Sequence, residues 1–221
     1  MKTLKESLLA DMEDVISSGD EVIKDNIKKW LKENLDEGFL RCKISETPNK
    51  DGKYEVSASG TIKVAFRTKT LTNGMFIWNK VSDDFVCSYC RNLESLEGAP
   101  KEVGRDFFCR VCDELTSIKG APETIGGGFY LSLCKNLKSL KGAPKSVGGS
   151  FRFDKCQKIT VLEDIPEKIG GDFSCAICPN LTSLKGCPKE VKGNFICVDC
   201  GKQFAEQEVR KLCKVQGIIY V

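Results

Sequence analysis

Histidine is absent from this 221-residue chain. Its absence removes the commonest general base, a frequent zinc ligand, and every Ser–His or Cys–His nucleophile. Charge of one sign is also scarce. Residues 1–62 carry ten basic and thirteen acidic side chains, which leaves +6 for the remainder of a chain whose total is +3. So mild an excess argues against nucleic acid as a partner, because nucleic-acid binders carry a strongly basic stripe. Long apolar runs are missing as well. No stretch approaches the roughly 20 residues of a membrane span, so no membrane partner is expected. The N-terminus, MKTLKESLLADMEDVISSGDE, is acidic and amphipathic, without the apolar centre of a signal peptide. A cytoplasmic location is therefore expected, with the 13 cysteines present as thiols.

Repetition is what the chain has in quantity. Leu93 to Glu114 reads LESLEGAPKEVGRDFFCRVCDE and Leu115 to Asn136 reads LTSIKGAPETIGGGFYLSLCKN. LKSLKGAPKSVGGSFRFDKCQK, ITVLEDIPEKIGGDFSCAICPN and LTSLKGCPKEVKGNFICVDCGK follow without insertion or deletion, up to Lys202. Leu71, Val81 and Phe85 stand 22 residues before Leu93, Val103 and Phe107, so Leu71–Asn92 is a worn first copy. A period of this length predicts a solenoid, in which each copy buries its apolar face against the next.

Aligned by column, the copies separate core from surface. Phe85, Phe107, Phe129, Phe151, Phe173 and Phe195 form one unbroken column. Cys87, Cys109, Leu131, Phe153, Cys175 and Cys197 lie two residues later, and Cys90, Cys112, Cys134, Cys156, Cys178 and Cys200 three beyond those. Columns of leucine and of valine or isoleucine complete the core. On a strand, alternate residues share a face, so the Phe column and the one two residues later point inward together. The Gly-Ala-Pro and Gly-Gly segments read as turns, the glycines supplying positive φ.

The ends differ from the array. Thr3 and Glu6 resemble a capping box, and Leu4, Leu8, Met12, Val15 and Ile16 fall at helical spacing. Ser18-Gly19-Asp20 interrupts, and a second stripe runs from Val22 through Trp30 to Leu35, so a helical hairpin is expected over about 3–37. Trp30 reads as a core anchor. Tyr54, Val56 and Ala58 alternate, as do Ile62, Val64 and Phe66, which predicts two short strands. After Gln203, a short helix through Val209 and a strand over 218–221 are expected. The expected division is 1–62 as an N-terminal helical cap with short strands, 63–202 as a solenoid of about six coils, and 203–221 as a small C-terminal α/β cap.

The segment F-x-C-x-x-C-x-x-L-x-x-L resembles the leucine-rich repeat, L-x-L-x-x-N/C-x-L, with one extra residue before the next leucine. The likeness covers about Leu71–Lys202 and is nearest to a divergent set worded LTSLEGAPKEVGGDFxCxxC, which recurs in tailed bacteriophages and gut bacteria. The resemblance implies a solenoid of the leucine-rich-repeat type whose strand face binds proteins. It further implies a phage-encoded inhibitor of a host defence factor, acting in the host cytoplasm.

Cys87/Cys90 and Cys109/Cys112 are C-x-x-C pairs at a zinc-ribbon spacing, and Cys175/Cys178 and Cys197/Cys200 repeat them. Leu131 and Phe153 in the first column mark it as apolar core. The unvarying second column reads as a buried ladder of thiols donating to turn carbonyls. No metal and no cofactor are therefore expected. The columns between the core columns vary in type and point outward. Tyr89, Phe108, Val111, Tyr130 and Leu133 form an apolar and aromatic patch there, flanked by Arg110, Arg152 and Lys155. Aromatic residues with arginine dominate binding hot spots. The expected function is non-enzymatic protein–protein interaction through these eight residues. The alternatives are a zinc-dependent nucleic-acid binder and a self-associating structural protein, a homo-oligomer.

Overall fold

Each block closes into one coil carrying two short strands, and the coils stack. The computed structural model describes the backbone of residues 4–221 and the side chains of residues 19–221 apart from Phe39. The capping box at Thr3 and Glu6 and the side chains of the first apolar stripe lie outside the described residues. The chain opens with α1 (Leu4–Asn34), β1 (Leu35–Glu37), β2 (Cys42–Ile44), β3 (Tyr54–Ala58), β4 (Ile62–Val64), β5 (Phe76–Val81) and β6 (Phe85–Val86). Strands then come in pairs, one pair to a block. They are β7 (Glu102–Val103) and β8 (Phe107–Phe108), β9 (Thr124–Ile125) and β10 (Phe129–Tyr130), and β11 (Ser146–Val147) and β12 (Phe151–Arg152). After them come β13 (Lys168–Ile169) and β14 (Phe173–Ser174), then β15 (Glu190–Val191) and β16 (Phe195–Ile196). α2 (Glu206–Leu212), β17 (Lys214–Val215) and β18 (Ile219–Tyr220) follow.

Two nine-stranded sheets result. The front sheet runs β1-β4-β6-β8-β10-β12-β14-β16-β18, and the back sheet runs from β2 through β3, β5 and the odd-numbered strands to β17. Pairing is parallel and in block register, with Phe107 opposite Phe129 and Phe129 opposite Phe151. Among the described residues only β1 on β4 and β2 on β3 are antiparallel, at the N-terminal edge.

The molecule is thus a β-solenoid of about eight coils rather than the expected six. The extra coils sit at the ends. β3 and β4 pair in parallel with β5 and β6, and β17 and β18 pair in parallel with β15 and β16. Their registers slip from the repeat, with Ile62 opposite Phe85 and Phe195 opposite Ile219, so a strict 22-residue spacing does not reach them. The expected helical hairpin is also corrected, because α1 is one unbroken helix through Ser18-Gly19-Asp20. A lone glycine inside a helix costs about 1 kcal/mol relative to alanine and does not by itself end one, whereas proline would.

All six phenylalanines of the repeat column are fully buried. Successive rings lie 5.1–6.2 Å apart, and the widest gap falls between Phe151 and Phe173, where Phe153 packs edge-on against both. Trp30 extends this file at the N-terminal end. It is half-buried, with its ring edge-on to Phe76, which meets Trp78, which meets Phe85. The Gly-Gly turns work differently from the expectation of positive φ. A Cβ on Gly126 or Gly148 would lie 2.1 or 2.2 Å from the carbonyl oxygen one coil back, so these glycines permit close stacking.

Candidate partner-binding face

The face is built by what happens just after each front strand. The Phe points inward, the next residue outward, and the next inward again. Four residues after the Phe the backbone turns left-handed in every copy. Tyr89, Val111, Leu133, Lys155, Ile177 and Asp199 have φ between 53° and 66°. The N–H groups of the first five reach the following coil, Tyr89 donating to the Arg110 carbonyl at 2.7 Å and Leu133 to the Asp154 carbonyl at 2.9 Å. The reversal turns the next residue, always cysteine, into the interior.

There the thiols form a ladder. Cys90, Cys112, Cys134, Cys156, Cys178 and Cys200 each donate to a carbonyl 25 residues earlier, at 3.2–3.5 Å. A buried carbonyl of each turn is thereby satisfied. Burial pushes Cys87 up to about 11 and Cys90 and Cys178 up to about 12, so these thiols stay protonated donors at neutral pH. Cys112 is held far above its ordinary value by its hydrogen bond with Cys109, then by that with Cys134 and by burial. Among the described residues no three His, Cys, Asp or Glu side chains are grouped so as to hold a metal ion.

All eight candidate residues belong to outward columns beside the front sheet. Tyr89, Val111, Leu133 and Lys155 are the left-handed column itself. Phe108, Tyr130 and Arg152 occupy successive strands, directly opposite one another in register. Phe108 and Tyr130 stack with ring centroids 4.8 Å apart and planes 11° from parallel. The Tyr130 ring lies over Gly128, where a Cβ would stand 2.6 Å from its atoms. Burial, then the nearby Asp106 charge, raises the Tyr130 phenol above its ordinary value. Arg110 lies in the column between, exposed, its N–H donating to the Ser88 hydroxyl at 3.1 Å.

The three expected cations are not equivalent. Arg152 is spent internally on the Asp172 carboxylate. Among the described residues Arg110 and Lys155 form no ion pair, so they are the cations this face offers outward. Ile177, 42% exposed and left-handed like Val111, continues the apolar column and was not among the expected residues.

A second ladder was not foreseen either. The residue before each Phe caps the next coil: Asp84 Oδ1 accepts from Asp106 N at 3.0 Å, Asp106 Oδ1 from Gly128 N at 2.6 Å, and Asp172 Oδ1 from Asn194 N at 2.9 Å. Ser150 and Asn194 do the same with Asp172 N and Ile218 N. Gly128 is the missing rung, and the Tyr130 ring fills its place. The signal was available as a column of Asp, Ser and Asn at the repeat spacing. No helix among the described residues is long and apolar enough to cross a membrane. No protein-family model, no curated protein and no solved structure matches the chain.

Proposed function

We propose that the chain is a protein-binding module whose front face engages a partner through Tyr89, Phe108, Arg110, Val111, Tyr130, Leu133 and Lys155, with Arg152 holding the face in place. One observation carries this reading. A left-handed backbone costs a non-glycine residue roughly 1–2 kcal/mol, and more for a β-branched one, while glycine and asparagine adopt it cheaply. At this position the chain spells Tyr, Val, Leu, Lys, Ile and Asp, and never Gly or Asn. Strain retained in successive coils on one exposed edge is accounted for by what those side chains touch outside the molecule. The stacked Phe108–Tyr130 pair supplies a rigid aromatic anchor beside them. The unpaired Arg110 and Lys155 suit a partner that brings carboxylates to the edges of an apolar contact.

The coil type belongs to the same proposal. The thiol ladder occupies the place of the asparagine ladder in leucine-rich repeats, and the short back strands take the place of that family's convex helix. Action on a host factor as a phage-borne inhibitor rests on the sequence resemblance alone.

Replacing Phe108 and Tyr130 together by alanine removes the anchor but no interior residue. Capture of partner from the native cell is expected to be lost, with the thermal midpoint nearly unchanged. Equal capture by the double variant overturns the assignment of this face.

A further inference from the structure

At its N-terminal end the back sheet finishes on an open edge. β2 is its outermost strand at the N-terminal end, and among the described residues no strand pairs with the far side. The register fixes which groups that side presents. Cys42 faces Ala58, Lys43 faces Ser57 and Ile44 faces Val56. Ser45 N donates to the Glu55 carbonyl at 2.8 Å and Ser59 N to the Arg41 carbonyl at 3.3 Å. Bonded and non-bonded pairs alternate in an antiparallel ladder. Lys43 therefore bonds to β3, and the N–H and C=O groups of Cys42 and Ile44 point outward. The same edge borders a groove of about 440 Å³ beneath α1, with Leu31, Leu40, Cys42 and Ile44 along it. Leu40 is 85% exposed at its mouth. Lys24 and Lys28 stand on the helix side and Glu46 at the far end.

We propose that this edge is a second docking site, which takes an extended peptide as an added antiparallel strand, with apolar residues at alternate positions and carboxylates between them. Strand addition uses main-chain hydrogen bonds for affinity and side-chain pockets for selection. Here the bonds are those of Cys42 and Ile44. Alternation directs every second peptide side chain toward the groove, where Leu31, Leu40 and Ile44 supply the apolar contact. The intervening side chains fall on the outer face beside Lys43, which is exposed and forms no ion pair among the described residues. Acidic rather than basic intervening residues are therefore selected. The site is separate from the front face and does not depend on it.

The test uses the full chain and a short fluorescein-labelled peptide of alternating valine and glutamate, followed by fluorescence anisotropy. Saturable binding is expected, weaker for a valine–lysine peptide and lost when alternate peptide amides are N-methylated. Ile44→Pro removes one outward N–H without touching a β2–β3 bond, and should weaken binding by roughly tenfold, about 1.4 kcal/mol. Lys43→Glu, a surface change, should reverse the preference between the two peptides. Phe108→Ala with Tyr130→Ala should change nothing. No binding up to about 1 mM overturns the proposal. Equal binding of the N-methylated peptide, or loss of binding in the front-face double variant, overturns it too.

Discussion

Val111 and Ile177 sit at φ 58° and 57°, a conformation in which a β-branched side chain crowds its own backbone. Replacing Val111 by asparagine relieves that crowding and gives up the contacts of a half-buried side chain. The folded state should hold its stability or gain up to about 1 kcal/mol, while capture of the partner weakens. Chemical denaturation alongside a binding assay separates these two outcomes. A loss of stability with no effect on capture would show that Val111 is kept for packing instead. The thiols offer a second test at this scale. Cys87, Cys90, Cys178 and Cys197 are raised by burial from 9.0 to about 11, 12, 12 and 12. Below pH 9 both folded and unfolded chains keep these protons, and the stability is intact. Above it the unfolded chain ionises first, so stability falls as pH climbs from about 9 toward 12. The slope is about 1.4 kcal/mol per pH unit for each such thiol. Urea midpoints measured from pH 8 to 11 should be flat at first and then fall steeply. A flat profile throughout would place the thiols in water.

At the scale of elements, spelling and geometry part company at identifiable residues. The inward columns were legible because Phe, Leu and Cys recur without exception and a strand alternates its faces. The left-handed column was not, because Tyr, Val, Leu and Ile carry no signal for positive φ. The cysteine beyond them, whose Sγ reaches a carbonyl of the coil before, goes with the turn whatever residue occupies it, so the choice of residue there stays free. The outward patch is therefore legible in its variability, and its strain only in three dimensions. The end coils were hidden for a different reason. Their front strands pair 23 or 24 residues from their partners instead of 22, so a strict 22-residue alignment passes over them, although Lys214-Val215 repeats the polar–valine pattern of Glu190-Val191 that it pairs with. Helix α1 runs past the expected break because a lone glycine is not a stop. Gly19 has no atom within 4 Å of where a Cβ would stand. Gly19→Ala should therefore stabilise α1 by about 0.5–1 kcal/mol, seen as slower amide exchange along the helix with the solenoid unaffected. Faster exchange would mean that the chain needs a hinge at this point.

For the whole molecule, nearest-neighbour stacking has a consequence that neither a residue nor an element shows. Each coil touches only the coils on either side, and the phenylalanine file is the thread they share. Removing one ring from the middle should uncouple the two halves rather than weaken them evenly. Phe129 is fully buried between Phe107 and Phe151, and its replacement by alanine costs about 3–5 kcal/mol. The chain carries its own reporters of which half responds. Both tryptophans, Trp30 and Trp78, lie at the N-terminal end of the aromatic file, so their fluorescence follows that end alone. Circular dichroism follows every coil. In the unaltered chain the two signals should lose structure together, as a cooperative unit does. In Phe129→Ala the dichroism midpoint should fall below the tryptophan midpoint, because the C-terminal coils lose their contact with the half that α1 covers. Gly148→Ala should give the same separation by another route, since its Cβ would meet the Gly126 carbonyl oxygen at 2.2 Å and force two central coils apart. A single coincident transition in both variants, shifted downward as one, would show a stack whose cooperativity reaches well beyond adjacent coils. The front face, which spans Tyr89 to Lys155 across the same central coils, would then be held rigid by the entire length of the solenoid.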